Sequence, residues 1–465
     1  MEKISLQEIV GAIGGTLLKG SAALHLPAIS IDTRTIKAGE TYLAIRGTRQ
    51  DGNNYIAAAV QKGAGGLICE RKPTREELES VDFAVQVYNG LTALQEIASL
   101  YRRKFDLPVV AITGSNGKTT TKEMTGKILA RRLRTLVTAG NFNNQVGLPL
   151  TLLRLKRKHQ AAVVELGTSS FGEIDRLARI SQPNIGVITC IGHSHLQELK
   201  SLANVLKAKT ELLDHIGPSG TAILNADDPY LRRAFSKYRV NLLTFGIKNK
   251  AEVTAADIRP AAGGSEISFM LRHHGRKQRV KLHTAGEHNV YNALAAASVG
   301  LTLKIPLREI AAGLAEFKPV SGRLRIINQN NITIIDDAYN ANPDSVRAAL
   351  NVLDNLGCQN RKIAVLGDML ELGEKSLAKH REIGKIIGQL GVDMLYTIGP
   401  QSRHLALAAE ETGMPLEKIS IFNLDQAEIL TEELKDYLRP GDAVLVKASH
   451  GIHLEKVIEE LTNIR

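Results

Sequence analysis

Hydrophobic residues in this 465-residue chain fall into short runs separated by segments of helical period. "VVAIT" (109–113), "AAVVELG" (161–167), "NIGVITCIG" (184–192) and "GTAILNADD" (220–228) have strand length and end in Gly or polar residues. Between the first two, Met124, Ile128 and Leu129 recur at helical spacing. Such alternation predicts parallel strands with crossover helices. The pattern repeats in "ITIIDDAY" (332–339), "KIAVLGDM" (362–369), "DMLYTIG" (393–399) and "DAVLVKAS" (442–449), with "PDSVRAALNVL" and "AEILTEELKDYL" as intervening helices. That predicts a second doubly wound unit. Ahead of both lie strand-like "TYLAIRG" and "GGLICE", helix-like "NNYIAAAVQKGA", and an amphipathic connector, "YNGLTALQEIASLYRRKF".

The fold class read from this pattern is α/β in three units, consistent with a length of roughly three domains. A smaller N-terminal α/β unit spans 1–106. A central unit with a mostly parallel sheet spans 107–315. A C-terminal Rossmann-like unit spans 316–465, its boundary drawn between Gly313 and Gly322, near Pro319 and Ser321.

Composition narrows the classes. Hydrophobic residues make up 43% and charged residues 23%, as in a soluble globular protein. No run of about 18 apolar residues is present, so no membrane span is expected. "MEKISLQEIVGAIGG" is too polar for a secretory signal. Cys69, Cys190 and Cys358 are widely spaced and odd in number, which suits buried free thiols in a reducing cytoplasm. The net charge of +11 suits either nucleic acid or highly anionic small substrates. Only "LRLKRKH" (153–159) and "LRHHGRKQR" (271–279) are densely basic, and Trp is absent. Stacking platforms for bases are therefore scarce, and both runs read as solvated faces with no nucleic-acid partner.

The richest chemistry is in "AITGSNGKTTTKEM" (111–124). Gly114 and Gly117 follow a predicted strand and open a predicted helix, the context of a phosphate loop. Backbone N–H groups there face phosphate oxygens, and the helix dipole adds to the attraction. Lys118 supplies a cation to the β- and γ-phosphates, and Thr119 or Thr120 a hydroxyl to Mg²⁺. The loop is shorter than the common P-loop, because Ile112 stands where the first Gly belongs. Glu165 ends a predicted strand, a suitable place for a hard oxygen ligand. His193 and His195 form a His-x-His pair, but no third ligand follows at zinc spacing. A His beside a nucleotide–Mg²⁺ site fits better, with His193 a bystander. Lys209, within "LKAKTELL", reads from its local pattern as a solvated helix lysine.

Together, T-G-x-x-G-K-T (113–119), N-x-N-N-x-x-G (141–147), E-x-G (165–167) and G-x-S-H (192–195) resemble the Mur ligases, ATP-dependent enzymes that extend the peptidoglycan precursor. The resemblance covers essentially the whole chain, and the shortened loop is ordinary in that family. "NFNNQVGLPLTLLRL" (141–155), "IIDDAYNANPDSVRAAL" (334–350) and "GDMLELG" (367–373) are most similar to the dipeptide-adding branch. The resemblance implies ligation of D-Ala-D-Ala to UDP-N-acetylmuramoyl-tripeptide through an acyl phosphate, by a cytoplasmic monomer.

It implies ATP contacts from Gly114, Ser115, Asn116, Gly117, Lys118, Thr119, Thr120, Asn289, Asn292, Arg323 and Asp337. Two Mg²⁺ ions would be held by Thr119, Glu165, His195 and a carbamylated Lys209. Lys118, Lys209, His195 and Arg323 would serve catalysis. Substrate contacts would come from Thr33, Arg34, Asp51 and Gly52 at the UDP end, and from Asn144, Thr168, Asn340 and Asn342. The chain departs from the family's K-G-S-R near its C-terminus, reading "KASH" (447–450). Three alternatives remain: the sister ligase that adds the third amino acid, a folate polyglutamate-type ligase, and a P-loop ATPase acting as a regulatory or nucleic-acid module.

Overall fold

The computed structural model describes residues 1–261, 264–356 and 361–463. Its strands form three sheets that follow one another along the chain. The first runs Thr16–Lys19, Phe83–Gln86, Gly66–Cys69, Thr41–Leu43, Ile29–Ser30, parallel except at the outer pair Thr16–Lys19 and Phe83–Gln86. The helix Gly90–Arg102 leads out of it. Asn89 caps its start by accepting from Thr92 N, and Leu94, Ile97, Ala98 and Tyr101 form its buried stripe. At its end the buried Arg102 guanidinium donates to carbonyls of Phe105, Leu107 and Ser181, which ties the connector to the middle of the chain.

The second sheet has nine strands. In spatial order they are Arg276–Leu282, Ile267–His273, Val253–Pro260, Asn241–Gly246, Thr221–Asn225, Ile185–Ile188, Val109–Thr113, Ala161–Glu165 and Thr135–Val137. Every residue of Val109–Thr113, Ala161–Glu165 and Ile185–Ile188 is buried, which explains why these runs are continuously apolar rather than alternating. After Val109–Thr113 the chain builds two strands on one side of it, then crosses to the other side with Ile185–Ile188. Reversal of this kind opens a crevice at the strands' carboxyl ends. Register puts Ile112 beside both Glu165 and Val187, so the crevice receives the loop from one strand and Glu165 from its neighbour.

Parallel pairing alone does not describe this sheet. Val253–Pro260, Ile267–His273 and Arg276–Leu282 pair antiparallel at one edge. The signal is a strict alternation in "ISFMLRH", followed by a His274–Gly275 turn in which both residues have positive φ. The basic run 271–279 lies on this exposed hairpin.

The third sheet runs Arg325–Gln329, Ile332–Asp336, Ala443–Lys447, Lys362–Gly367, Met394–Ile398, Ile419–Phe422, with only the first pair antiparallel. Asp336 pairs with Val446, which brings Asp337 and Lys447 together at adjacent carboxyl ends. One hydrophobic cluster includes Leu43, Ala162 and Leu445 and so draws on all three sheets. Separate clusters cover the other faces of the second and third sheets. Among the described residues no helix is long and apolar enough to cross a membrane. Cys69 is buried and Cys190 half-buried, both as free thiols; Cys358 lies outside the described residues.

Candidate active site

Residues 114–117 turn from the strand Val109–Thr113 into the helix Lys118–Ala130. Gly117 has φ +80°, and a Cβ there would stand 2.1 Å from Asn292 Oδ1. At Gly114 a Cβ would stand 1.9 Å from Thr189 Oγ1. Only glycine fits either position, and the backbone is left open to an approaching group. Ser115 pins the loop from below. Its N–H donates to Cys190 O at 2.9 Å and its Oγ accepts from Gly192 N at 2.8 Å. No side chain caps the helix, so its first N–H groups remain available to an anion. Lys118 Nζ donates to Gly114 O at 2.8 Å and Ser115 O at 3.3 Å. Burial lowers its pKa, and the nearby Glu165 opposes that shift.

Two buried oxygens beside the loop have no hydrogen-bond partner, Thr119 Oγ1 and Glu165 Oε2. Glu165 Oε1, by contrast, accepts from Asn143 Nδ2 at 2.8 Å. Orphaned buried oxygens are uncommon, and hard oxygens are what Mg²⁺ takes, so these residues fit a Mg²⁺–nucleotide site. His195 Nδ1 lies 2.6 Å from Glu371 Oε2, and this contact holds the Glu371 carboxyl below its usual range.

Lys209 is not the solvated lysine that its local sequence suggests. It is 1% exposed, and burial, reinforced by Lys118, pushes its ammonium down to about 7. The helix Leu202–Thr210 turns this residue inward, within electrostatic reach of Lys118 and Cys190.

A cavity of about 600 Å³ opens above the loop. Ser115, Asn116, Gly117, Lys118 and Thr120 line it from the second sheet's unit, and Arg323, Asp337, Tyr339 and Lys447 from the third sheet's unit. The Arg323 guanidinium lies 4.0 Å from the Tyr339 ring centroid, within cation–π range. Lys447 Nζ donates to Asp337 Oδ2 at 2.6 Å and to Asn340 O at 2.8 Å. Burial pushes the Asp337 carboxyl up and Lys447 pulls it back. Of the departures in "KASH", Ala448 is buried packing against Gly367, and exposed His450 stacks on Tyr339 with centroids 5.4 Å apart.

Two clasps join the walls. Asn116 and Asn342 exchange amide hydrogen bonds at 2.8 and 3.3 Å. Asp344 accepts from His193 N at 2.7 Å and lies 3.0 Å from His193 Nδ1. His193 is therefore tied to the third sheet's unit. Burial raises the Asp344 pKa, but its bonds to His193 outweigh this and hold the carboxyl below its usual range.

Asn289 and Asn292 spend their amides internally. Asn289 donates to Thr284 Oγ1 and Ala285 O and accepts from Asn292 Nδ2. Asn292 in turn backs Gly117. They shape the loop more than they offer free amides to a base, although both line the cavity. Asn144, Thr168, Asn340 and Asn342 also line it. Asn144 Oδ1 is occupied by Val146 N and Gly147 N, and Thr168 Oγ1 donates to Ser170 O. Gly114, Thr119 and Lys209 are not among its lining residues, nor are Thr33, Arg34, Asp51 and Gly52.

That last group stands on the first sheet's unit. There Arg34 pairs with Asp32 at 2.7 Å, Asp51 accepts from Asn53 N and Arg46, and a Cβ on Gly52 would stand 2.6 Å from Ile45 N. Asp344, Lys447, Glu371 and Asn143 lie in the quoted motifs but received no role from the sequence. Asp344 had the best available signal, an acid on the first turn of a helix opened by Asn342 and Pro343.

Known proteins match the chain throughout. Three family models fit in chain order: Mur ligase family catalytic domain at 25–102, Mur ligase middle domain at 112–300, and Mur ligase glutamate ligase domain at 322–450. A UDP-N-acetylmuramoyl-tripeptide–D-alanyl-D-alanine ligase of Bacillus subtilis is 33% identical, with 99% of each chain covered. The crystal structure of MurF from Acinetobacter baumannii is 34% identical, covers both chains completely, and superposes with a TM-score of 0.89. MurF ligase from Thermotoga maritima, solved in complex with ADP, is 28% identical with a TM-score of 0.83 over 94% of this chain and 97% of its own. On these matches, and with its glycine loop in the crevice of the middle sheet, the chain belongs to the Mur ligase family.

Proposed function

We propose that this chain joins D-Ala-D-Ala to UDP-N-acetylmuramoyl-tripeptide, converting ATP to ADP and phosphate. One observation carries the reading: the glycine-shaped loop with Lys118, from the second sheet's unit, and Arg323 with Lys447, from the third sheet's unit, line one cavity. The full-length relatives that bear this activity in their names support it.

The tripeptide's terminal carboxylate attacks the γ-phosphorus, the β–γ bond breaks, and ADP leaves. The acyl phosphate that results is a mixed anhydride with a good leaving group. The dipeptide's neutral amine adds to its carbonyl carbon. The tetrahedral adduct then collapses, phosphate departs, and the nitrogen gives up a proton to the departing phosphate to complete the amide. Lys118 and the loop N–H groups offset charge on the transferring phosphoryl group, and Arg323 reaches it from the third sheet's unit.

Bound Mg²⁺ would supply Lewis-acid neutralisation of phosphate charge. Thr119, Glu165 and His195 would hold it, and a carbamylated Lys209 would serve a second ion. The Asn116–Asn342 and His193–Asp344 clasps keep the walls together and limit water that would hydrolyse the acyl phosphate. Thr33, Arg34, Asp51 and Gly52 would hold the UDP end, and Asn144, Thr168, Asn340 and Asn342 the peptide portions. This reading divides the chain at 1–106, 107–315 and 316–465 and assigns the reaction to a cytoplasmic monomer.

The test is phosphate release with the UDP-tripeptide, with and without D-Ala-D-Ala, beside a Lys118→Ala control. Dipeptide-dependent release that vanishes in the control is expected. Release driven by a free amino acid and the UDP-dipeptide would favour the sister ligase. Nucleic-acid-stimulated hydrolysis without peptide product would refute ligation altogether.

A further inference from the structure

We infer that Lys122 is a positioning residue for the Glu165 carboxylate, acting through the segment 138–147; this rests on the proposed metal role of Glu165. Lys122 lies one helical turn after Lys118 and is fully buried. A buried ammonium is costly unless its donors are satisfied. It donates to Thr138 O at 2.8 Å and Gly140 O at 2.9 Å, and Glu123 Oε1 lies 2.9 Å from Nζ as an ion-pair partner. Glu165 Oε2 stands 4.0 Å away, beyond hydrogen-bond reach. Lys122 therefore places a positive charge beside Glu165 and leaves Oε2 open.

The two carbonyls that Lys122 grips begin the segment that wraps Glu165. Thr138 Oγ1 accepts from Glu165 N at 3.3 Å. Further along, Asn143 Nδ2 donates to Glu165 Oε1 at 2.8 Å, and Asn143 O accepts from Gly167 N at 2.9 Å. The wrap is tight, since a Cβ on Gly167 would stand 2.9 Å from Asn143 Oδ1 and one on Gly147 2.5 Å from Phe142 Cα. One oxygen of Glu165 is thus tied by Asn143 and the other left free, and Lys122 anchors the segment that makes this division.

The test is Mn²⁺ binding to the enzyme–ADP complex, read by electron paramagnetic resonance, with ADP affinity in EDTA measured separately by calorimetry. Partners that orient a metal ligand are worth about 10–100-fold in metal affinity. Lys122→Met and Asn143→Ala should each weaken Mn²⁺ by about that factor, with ADP affinity in EDTA changed less than about threefold. The double variant should be little worse than the weaker single, because both act through one segment. Lys122→Arg, which keeps the charge, should recover part of the loss.

Mn²⁺ affinity at the parent level in folded Lys122→Met, or effects that multiply in the double variant, would overturn the inference. If Lys122→Met does not fold, the cycle of Lys122→Arg with Asn143→Ala decides by the same criterion. Glu165→Gln separates the two layers of the argument. Unchanged Mn²⁺ binding there removes Glu165 from the metal site, whereas a loss there with Lys122→Met unaffected removes only Lys122.

Discussion

Lys209→Met deletes one buried amine and keeps most of its volume, and the parent chain's behaviour against pH shows what that amine is for. Burial, with Lys118 adding to it, holds Lys209 at about 7. At pH 7 about half of these amines are neutral, against about one in 2,500 for a solvated lysine, a gain on the order of 10³-fold. Only the neutral amine adds CO₂. The nitrogen bonds to carbon, a proton leaves, and an anionic oxygen ligand results. The folded pKa lies below the unfolded one, so the folded chain holds fewer protons between roughly pH 7 and 10.4, and this group makes stability rise with pH across that window.

The assay uses protein free of metal and nucleotide, pulsed with ¹³CO₂ at fixed dissolved concentration. Carbamate is then trapped by alkylation and located by mass spectrometry. The initial rate at Lys209 should climb about tenfold per pH unit up to about pH 7 and level off above it. Lys209→Met should show no label at this position and almost no ligation. A rate still climbing tenfold per unit from about pH 8 to 10 would refute the reasoning, since that is how a solvated lysine behaves.

Gly117→Ala should raise the dissociation constant for ATP by at least about tenfold in calorimetry. The left-handed backbone costs about 1–2 kcal/mol, and the new Cβ would meet Asn292 Oδ1 at 2.1 Å. Asp337→Ala strands the buried Lys447 ammonium and should lower urea stability by about 3–5 kcal/mol, while Asp337→Leu with Lys447→Met should lie closer to the parent. Asp344→Asn weakens the acceptor for His193, and bonds to a charged group are worth about 1.5–3 kcal/mol. Its kcat/KM for D-Ala-D-Ala should therefore fall by about 10–100-fold, and a parent-like value would show that the clasp does not serve the reaction.

Much of the scaffold was legible because local pattern and tertiary role agree. "VVAIT", "AAVVELG" and "DAVLVKAS" are continuous apolar runs that fold as strands buried on both faces. The Gly114–Lys118 turn was legible because a left-handed φ and an uncapped helix start demand specific residues in a fixed order. The antiparallel edge was less legible, because Arg276–Leu282 is mostly exposed and basic and so carries little apolar alternation to mark it as a strand.

Lys122 and Lys209 were illegible for a different reason. Both are lysines on helices, and helical spacing gives no account of what packs against each face. Asn289 and Asn292 show the same gap in reverse: motif position puts them at the nucleotide, but their amide orientation is set by Thr284, Ala285 and the back of Gly117.

By itself, then, the order of residues determined where the chain extends, where it coils, and where glycine must stand to make the turn after the strand, since these are short-range steric and periodic properties. Which ammonium groups lose their water, and which carboxylate oxygens are left without a donor, was decided only in three dimensions. Solvation and hydrogen-bond satisfaction depend on every segment packed around a group, and for Lys209, Glu165 and Asp337 those segments are remote in sequence.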